Sequence, residues 1–259
     1  MRLQTSLSRR HFVSGALAIP AAAGGTAGKP LTVPAKPRAI ELNTAHTAVI
    51  VVDMQNDFAA AGGMFERTGM DISVIRELIP PIARVLDASR RHGMKIVYLK
   101  MAFRPDLSDL GGPESPNRLQ HVAVGVGKEY RAPNGASTRT LIRDTWSTDI
   151  IPELEPKAGD AVVYKHRYSG FYQTDLDATL KGAGAKDLIF TGCTTSVCVE
   201  STVRDAMFRD YRCLVLRDCT AQPMEPGLPG CYHESTLNVI QTDFGWVSSG
   251  PELIRALGG

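Results

Sequence analysis

The sequence has little of what would mark a nucleic-acid-binding or disulfide-rich protein. Its 29 basic and 27 acidic residues nearly balance, so no nucleic-acid or membrane-surface partner is indicated. Its five cysteines are an odd number, and their spacings match neither a disulfide framework nor a zinc site. It has no internal repeat. About 220 residues beyond the N-terminal leader suffice for one domain with a sizeable core.

The N-terminus has the pattern of an export signal and not of a membrane span. Ser8–Phe12 reads S-R-R-H-F, which matches a twin-arginine signal, and the apolar run Val13–Ile19 follows it. That run is far shorter than the roughly 20 apolar residues of a membrane-spanning helix. Ala21–Ala23 fits A-x-A processing. We therefore predict a twin-arginine signal peptide and linker over residues 1–28, export to the periplasm, and linker sequence continuing to Pro37.

Thr191–Ala206, T-G-C-T-T-S-V-C-V-E-S-T-V-R-D-A, is the most informative segment of the chain. The apolar run Asp187–Thr191 predicts a buried strand, and a helical pattern begins near Val197. Cys198 would then lie in the first turn of a helix, where unpaired N–H groups and the macrodipole favour a thiolate. The alternative is that Cys198 only fills core space, as most cysteines do.

Two other strand ends supply the groups that a reactive thiol needs. Asp53 directly follows an apolar run that begins at Thr47, and Lys165 ends the short apolar run after Asp160. The carboxyl ends of strands in open parallel sheets are where ligands bind. A lone lysine after a strand is more often solvated, and the neighbouring Asp57 is explained equally well as a helix cap. The conjunction of base, cation and thiol favours a catalytic site.

At these residues the chain resembles the isochorismatase-like cysteine hydrolases. The matching segments are V-V-D-M-Q-N-D-F around Asp53, K-x-R-Y-S-G-F from Lys165, and the sixteen-residue segment around Cys198. The resemblance extends from Thr47 to the C-terminus. It implies the fold of that superfamily over residues 29–259 and identifies Asp53, Lys165 and Cys198 as a catalytic triad.

The resemblance also implies a mechanism and an assembly. A non-proline cis peptide is expected between Cys193 and Thr194, and the N–H groups of Thr194 and Cys198 would form an oxyanion hole. The expected activity is hydrolysis of a small, non-peptide amide or ureido C–N bond through a thioester-like intermediate, with no cofactor. Family members commonly form dimers or tetramers, so we expect a homo-oligomer that acts on a small-molecule amide.

The histidine pattern argues against a metal site. Nicotinamidases of this superfamily hold a metal with an Asp-x-His…His set, and no such pair occurs among the six histidines of this chain: His11, His46, His92, His121, His166 and His233. The sequence therefore predicts a metal-free carbamoyl or ureido amidohydrolase.

Two local features are similar to the ureidoacrylate amidohydrolases of this superfamily, namely K-x-R-Y-S-G-F and the G-G-P-E-S-P-N segment at 111–117. The residues then expected to contact substrate are Asn56, Phe58, Phe103, Tyr168 and Ser169. Each could equally be a loop-packing residue.

The chain departs from the ureidoacrylate pattern after the strand at Lys95–Lys100. Met101-Ala102-Phe103 stands where those enzymes have Asn-Gly-Trp, which predicts a pocket with fewer hydrogen-bond donors and a different or more apolar amide substrate. Arg104 and Arg118 could supply a carboxylate clamp.

Strand and helix patterns alternate along the chain, which predicts an α/β fold. We expect a three-layer α/β/α sandwich with a mostly parallel, Rossmann-like sheet of about six strands. Helices are predicted at Val74–Arg91, with Pro80 and Pro81 delaying or kinking its start, and at Thr174–Leu180, capped by Thr174. The loop Ala102–Ser137 is predicted to be a lid or an oligomer contact. Strands are expected at Thr47–Asp53, Lys95–Lys100, Asp160–Tyr164, Asp187–Thr191, Arg212–Leu216 and Gly245–Val247.

Other functions remain open at this point. Superfamily members that cleave a vinyl ether need no cysteine nucleophile, and a non-catalytic binding protein could use the same fold. Biuret, N-carbamoyl amino acids, ureidoacrylate and simple aryl or alkyl amides are all candidate substrates.

Overall fold

A computed structural model describes residues 28–223 and 232–259. The predicted twin-arginine signal lies outside these ranges. The strands are β1 (Pro30–Val33), β2 (Ile40–Asn43), β3 (Thr47–Val52), β4 (Lys95–Met101), β5 (Glu129–Arg131), β6 (Ser137–Arg139), β7 (Ala161–Lys165), β8 (Asp187–Cys193), β9 (Arg212–Ala221) and β10 (Trp246–Ser248). The helices are α1 (Asn56–Ala59), α2 (Met64–Arg67), α3 (Ser73–Arg76), α4 (Ile79–Arg91), α5 (Pro116–Ala123), α6 (Leu176–Gly182), α7 (Glu200–Met207), α8 (Tyr232–Val239) and α9 (Gly250–Leu257).

Six of the strands form one parallel sheet in the order β10-β9-β8-β3-β4-β7. Apolar clusters cover both faces. One lies under α4 and α9, and the other lies under α6, α7 and α8. The expected three-layer α/β/α sandwich is confirmed. The chain leaves β3 towards β4 and β7 and later returns to the other side of β3 as β8, so the strand order reverses between β3 and β8. Ligands of open α/β sheets bind at such a reversal.

The predicted linker up to Pro37 is wrong for its second half. Residues 30–33 form β1, which pairs antiparallel with β2. Leu31 and Val33 alternate with exposed residues and are buried in the core beside α9, so this segment is part of the domain. A backbone bridge between Lys36 and Val247 of β10 continues its attachment to the sheet.

Both predicted helices differ from the observed ones at their N-terminal ends. The helix expected at Val74–Arg91 is divided into α3 and α4, because Pro80 and Pro81 lie in the first turn of α4, where a missing N–H is tolerated. The helix expected from Thr174 begins two residues later, at Leu176. Thr174 still contributes, since its Oγ1 accepts the N–H of Leu176.

The long connection after β4 is not a plain loop. It contains α5 and the β5–β6 hairpin, and α5 lies beside the carboxyl end of the sheet. Within residues 28–223 and 232–259, no helix has the length and apolar character needed to cross a bilayer.

Candidate active site

Asp53 lies immediately beyond β3, at the point where the strand order reverses. Its backbone has φ 52°, a left-handed conformation uncommon for residues other than glycine. Its N–H donates to Leu99 O at 3.0 Å, which holds the turn against the neighbouring strand. The side chain is 1 % exposed. A conformation of this kind costs of order 1 kcal/mol and is concentrated at functional sites.

Lys165 is the last residue of β7, two strands away from β3, and its side chain reaches across β4 to the site. Its Nζ lies 2.8 Å from Asp53 Oδ2 and 3.2 Å from Cys198 Sγ. Two further contacts are made to Met101 Sδ at 3.5 Å and to the carbonyl of Arg167 at 3.3 Å. The side chain is fully buried. A single ammonium group therefore joins the carboxylate and the thiol.

Cys198 follows β8 through a tight turn into a π-helical turn, Thr195–Val199, that continues into α7. Gly192 allows the end of β8 to lie close to the backbone of β3. Its φ is 102°, and a Cβ atom at this position would lie 2.0 Å from the carbonyl oxygen of Val52. The peptide bond between Cys193 and Thr194 is cis, as expected. The Cys198 thiol is 7 % exposed, so it lies at the wall of the site and not on the surface.

Burial dominates the electrostatics of the three groups. It raises the pKa of Cys198 to about 12, and the lowering by Lys165 is smaller, so the thiol is protonated at neutral pH. The expectation that the helix start would favour a thiolate is therefore not met in the resting site. Burial also raises the pKa of Asp53 despite Lys165. Burial lowers the pKa of Lys165, but Asp53 and Cys198 outweigh it and the net shift is upward.

A cavity of about 140 Å³ opens beside the thiol. Most of its wall is apolar, and Asp53 is the only Asp, Glu, Lys or Arg among the described residues that form it. The lining residues are Asp53, Phe58, Met64, Phe65, Met70, Met101, Gln120, His121, Val124, Leu141, Tyr168, Cys193, Thr194, Val197, Cys198, Gln222 and Pro223. The arrangement offers a nucleophile, a base and a partly open space for a small molecule.

Comparison with known proteins shows the family of the chain. The isochorismatase domain matches residues 47–251, which include all three groups. The chain belongs to the isochorismatase family. It is 41% identical over 218 residues to ureidoacrylate amidohydrolase RutB of Methylorubrum extorquens, covering 84% of this chain and 85% of the relative. The corresponding protein of Methylobacterium radiotolerans is 40% identical over 228 residues, covering 88% and 86%.

Solved structures of a cysteine hydrolase and of an amidase are also similar to the chain. A cysteine hydrolase from Pseudomonas syringae pv. phaseolicola superimposes with a TM-score of 0.72 at 30% identity, covering 89% of this chain and 98% of that one. N-carbamoylsarcosine amidase from Thermoplasma acidophilum gives a TM-score of 0.56 at 25% identity, covering 79% and 96%.

The expected substrate contacts divide into two groups. Phe58 and Tyr168 line the cavity. Asn56, Phe103 and Ser169 are not part of its wall, and each contacts another residue instead. Asn56 Nδ2 donates to Trp146 O, Phe103 packs edge-on against His121, and Ser169 Oγ donates to Asp205. The suggested carboxylate clamp of Arg104 and Arg118 is likewise absent from the wall formed by the described residues.

Several wall residues had no signal in the sequence. Met64 and Met70 follow β3 in short helices and turns, and His121 comes from α5, and none of them belongs to a recognised motif. Gln55 was present in the motif around Asp53 but was not singled out. Its side chain donates to Met101 O at 2.9 Å and accepts from Met101 N at 2.8 Å, which fixes the end of β4 beside the site.

Metal binding finds no support among residues 28–223 and 232–259, where no three His, Cys, Asp or Glu side chains cluster in a way that could hold an ion.

Proposed function

We propose that the protein is a cysteine-dependent amidohydrolase that cleaves a small amide or a ureido or carbamoyl C–N bond. The observation that carries the proposal is the ammonium group of Lys165, which lies 2.8 Å from the Asp53 carboxylate and 3.2 Å from Cys198 Sγ, two groups that line the cavity. Nucleophile, base and cation are thereby within reach of one another, which is the arrangement that activates a thiol.

The chemistry follows from these positions. Asp53 accepts the thiol proton, Lys165 stabilises the thiolate, and the sulfur attacks the substrate carbonyl. The N–H groups of Thr194 and Cys198 hold the tetrahedral oxyanion, which typically contributes about 2.7–4 kcal/mol per donor. The C–N bond then breaks and Asp53 returns the proton to the departing nitrogen. Water, deprotonated by Asp53, hydrolyses the acyl or carbamoyl thioester and restores the thiol.

The named activities of similar proteins support a carbamoyl or ureido bond. The curated relatives are ureidoacrylate amidohydrolases, and the N-carbamoylsarcosine amidase has the same fold. Both names describe cleavage of a C–N bond that is formed by a carbamoyl carbon. The reaction class proposed for this chain is the one that they share.

Ammonia release with and without Cys198 tests the proposal. We expect Cys198→Ala to retain the fold and to lose turnover on every substrate in a panel of ureido, carbamoyl and simple amide compounds. Cys213→Ala is the matched control, because Cys213 is also a free buried cysteine but lies in β9, outside the cavity wall. Equal activity of the two variants contradicts the assignment of Cys198 as nucleophile.

Two further features are proposed on the sequence and on the resemblance. The S-R-R-H-F segment supports export by the twin-arginine pathway. Membership in the family supports a homodimer or homotetramer, which light scattering on the mature protein would measure.

A further inference from the structure

The charges at the cavity cancel, and no lysine or arginine among the described residues lines the wall. The carboxylate of Asp53 is paired with Lys165, whose Nζ also contacts Cys198 Sγ. An anionic group on a substrate would therefore find no lysine or arginine side chain in the part of the wall that the described residues form.

Three arginines in the neighbouring part of the chain have other partners. Arg118 Nη1 donates to Gly111 O at 3.1 Å, and Arg167 Nη1 donates to Asp109 O at 2.8 Å. Arg143 forms an ion pair with the Asp109 side chain at 3.3 Å. These contacts stabilise the connection that follows β4. The three guanidinium groups are therefore engaged there and do not supply the positive charge that the cavity wall lacks.

His121 is the one histidine of the described residues in the wall, and it does not replace a cation. The pKa of His121 is lowered to about 4, mainly by burial and to a smaller extent by the positive charges of Lys165 and Arg167. Its Nδ1 lies 2.6 Å from the carbonyl oxygen of Asn117 and must donate to it. In the neutral ring Nε2 is then a hydrogen-bond acceptor, which would repel a carboxylate.

Most of the remaining wall is suited to apolar groups, and its polar side chains are all neutral, namely those of Gln120, Tyr168, Thr194 and Gln222. Met64, Met70 and Met101 contribute thioether side chains, which adapt their shape to apolar and aromatic ligands, and Phe58 and Val124 lie among them. Transfer of an ionised carboxylate into such surroundings is costly unless a partner compensates for it. We propose that the cavity selects neutral substrates, that is, carbamoyl or amide compounds whose non-reacting part is apolar and carries no carboxylate. This inference rests on the proposed amidohydrolase function.

A matched pair of compounds tests the inference. One is 3-ureidoacrylate, the anion named in the curated relatives, and the other is its methyl ketone, in which CH₃ replaces the carboxylate O⁻. The two have nearly the same size and the same ureido group, so charge is the main difference between them. We expect kcat/KM for ammonia release to be at least about 100-fold higher for the ketone, because a buried group without a partner is rejected strongly.

A substitution at the rim should change this preference in a known direction. Gln120 lines the cavity and is exposed on α5, so a longer charged side chain can be placed there without filling the core. We expect Gln120→Arg to shift the ratio of kcat/KM towards the anion by about tenfold, the change that about 1.4 kcal/mol produces. Gln120→Met has a similar length without the charge and should give no shift towards the anion.

Binding to the Cys198→Ala variant separates this inference from the proposed function. Calorimetry should show tighter binding of the ketone than of the anion, whether or not the wild-type protein turns either over. Absence of turnover together with this binding preference would contradict the amidohydrolase activity and support the neutral site. Equal or tighter binding of the anion, equal or faster turnover of it, or binding of neither compound would overturn the inference.

Discussion

Replacing Lys165 by methionine removes an ammonium group from a buried ion pair and leaves a side chain of similar length. Lys165 Nζ lies 2.8 Å from Asp53 Oδ2, and the two side chains are 0% and 1% exposed. Without the lysine, no other cation among the described residues forms an ion pair with the Asp53 carboxylate. Loss of one partner of a buried pair destabilises a protein by about 3–5 kcal/mol, mainly because the other charge stays buried and uncompensated.

The expected size of the effect can be measured as a melting temperature. A domain of this size loses about 2–4 °C for each kcal/mol, so Lys165→Met should melt about 6–20 °C below the wild-type protein. Lys157→Met is the matched control. Lys157 forms an ion pair with Asp87 at 3.1 Å, but the two side chains are 62% and 54% exposed. An exposed pair contributes about 0–1 kcal/mol, so this variant should melt within about 4 °C of the wild-type protein.

The pH dependence provides an independent check. Burial already raises the pKa of Asp53, and loss of Lys165 removes the main influence that lowers it. The folded variant then binds the Asp53 proton at a pH where the unfolded chain has released it, so stability falls as the pH rises through that interval. The difference in melting temperature between Lys165→Met and the wild-type protein should be smaller at about pH 5 than at about pH 7.5. A melting temperature equal to that of Lys157→Met at neutral pH would refute the reasoning.

Three other predictions concern the thiol, the leader and a buried carboxylate. Alkylation of Cys198 by iodoacetamide, followed by peptide mass spectrometry, should keep rising above pH 9, because burial raises the pKa of the thiol to about 12; a plateau below pH 9 contradicts this. Exchange of Arg9 and Arg10 for lysine should block export, and recovery of that double variant mature in the periplasm excludes twin-arginine targeting. Asp57→Asn should cost about 1–3 kcal/mol, since Oδ2 accepts the buried N–H of Leu141 at 2.8 Å and an amide group leaves one donor unmatched. An unchanged melting temperature would show that the hydrogen bond from Leu141 N–H to Asp57 contributes nothing to the stability of the fold.

The sheet was predictable because its central strands are buried on both faces. β3 and β8 consist of residues that are all buried, and strands of this kind read as continuous apolar runs that stop at a polar residue. The same property placed Asp53 at a strand end, whereas Lys165 ends β7, a partly exposed edge strand that was recognised from its short apolar run. What the pattern did not indicate was the pair β1 and β2, because its four-residue strands occur in a stretch rich in glycine, proline and lysine.

The cavity wall was predictable only in part, for a different physical reason. Phe58 lies within the motif next to Asp53, and Tyr168 lies within the motif next to Lys165, so proximity in sequence placed both. His121 and Met70 come from connections whose position depends on tertiary packing, and local patterns carry no information on it. Phe103 shows the limit of resemblance, since it follows the strand at the expected place but is fully buried behind the wall, against His121.

The protonated thiol of the resting site is compatible with a nucleophilic role, because the base beside it is shifted in the same direction by the same cause. Burial raises the pKa of both Cys198 and Asp53. Moving the proton from sulfur to carboxylate leaves one buried anion opposite the Lys165 cation before and after the transfer. The cost of burying charge is thus largely common to the two states and cancels in their difference. The 3.2 Å contact from Lys165 Nζ then stabilises the thiolate directly. Lys165→Met should therefore stay inactive even at an acidic pH where its stability approaches that of the wild-type protein, because the lost contact acts on the thiolate and not only on the fold.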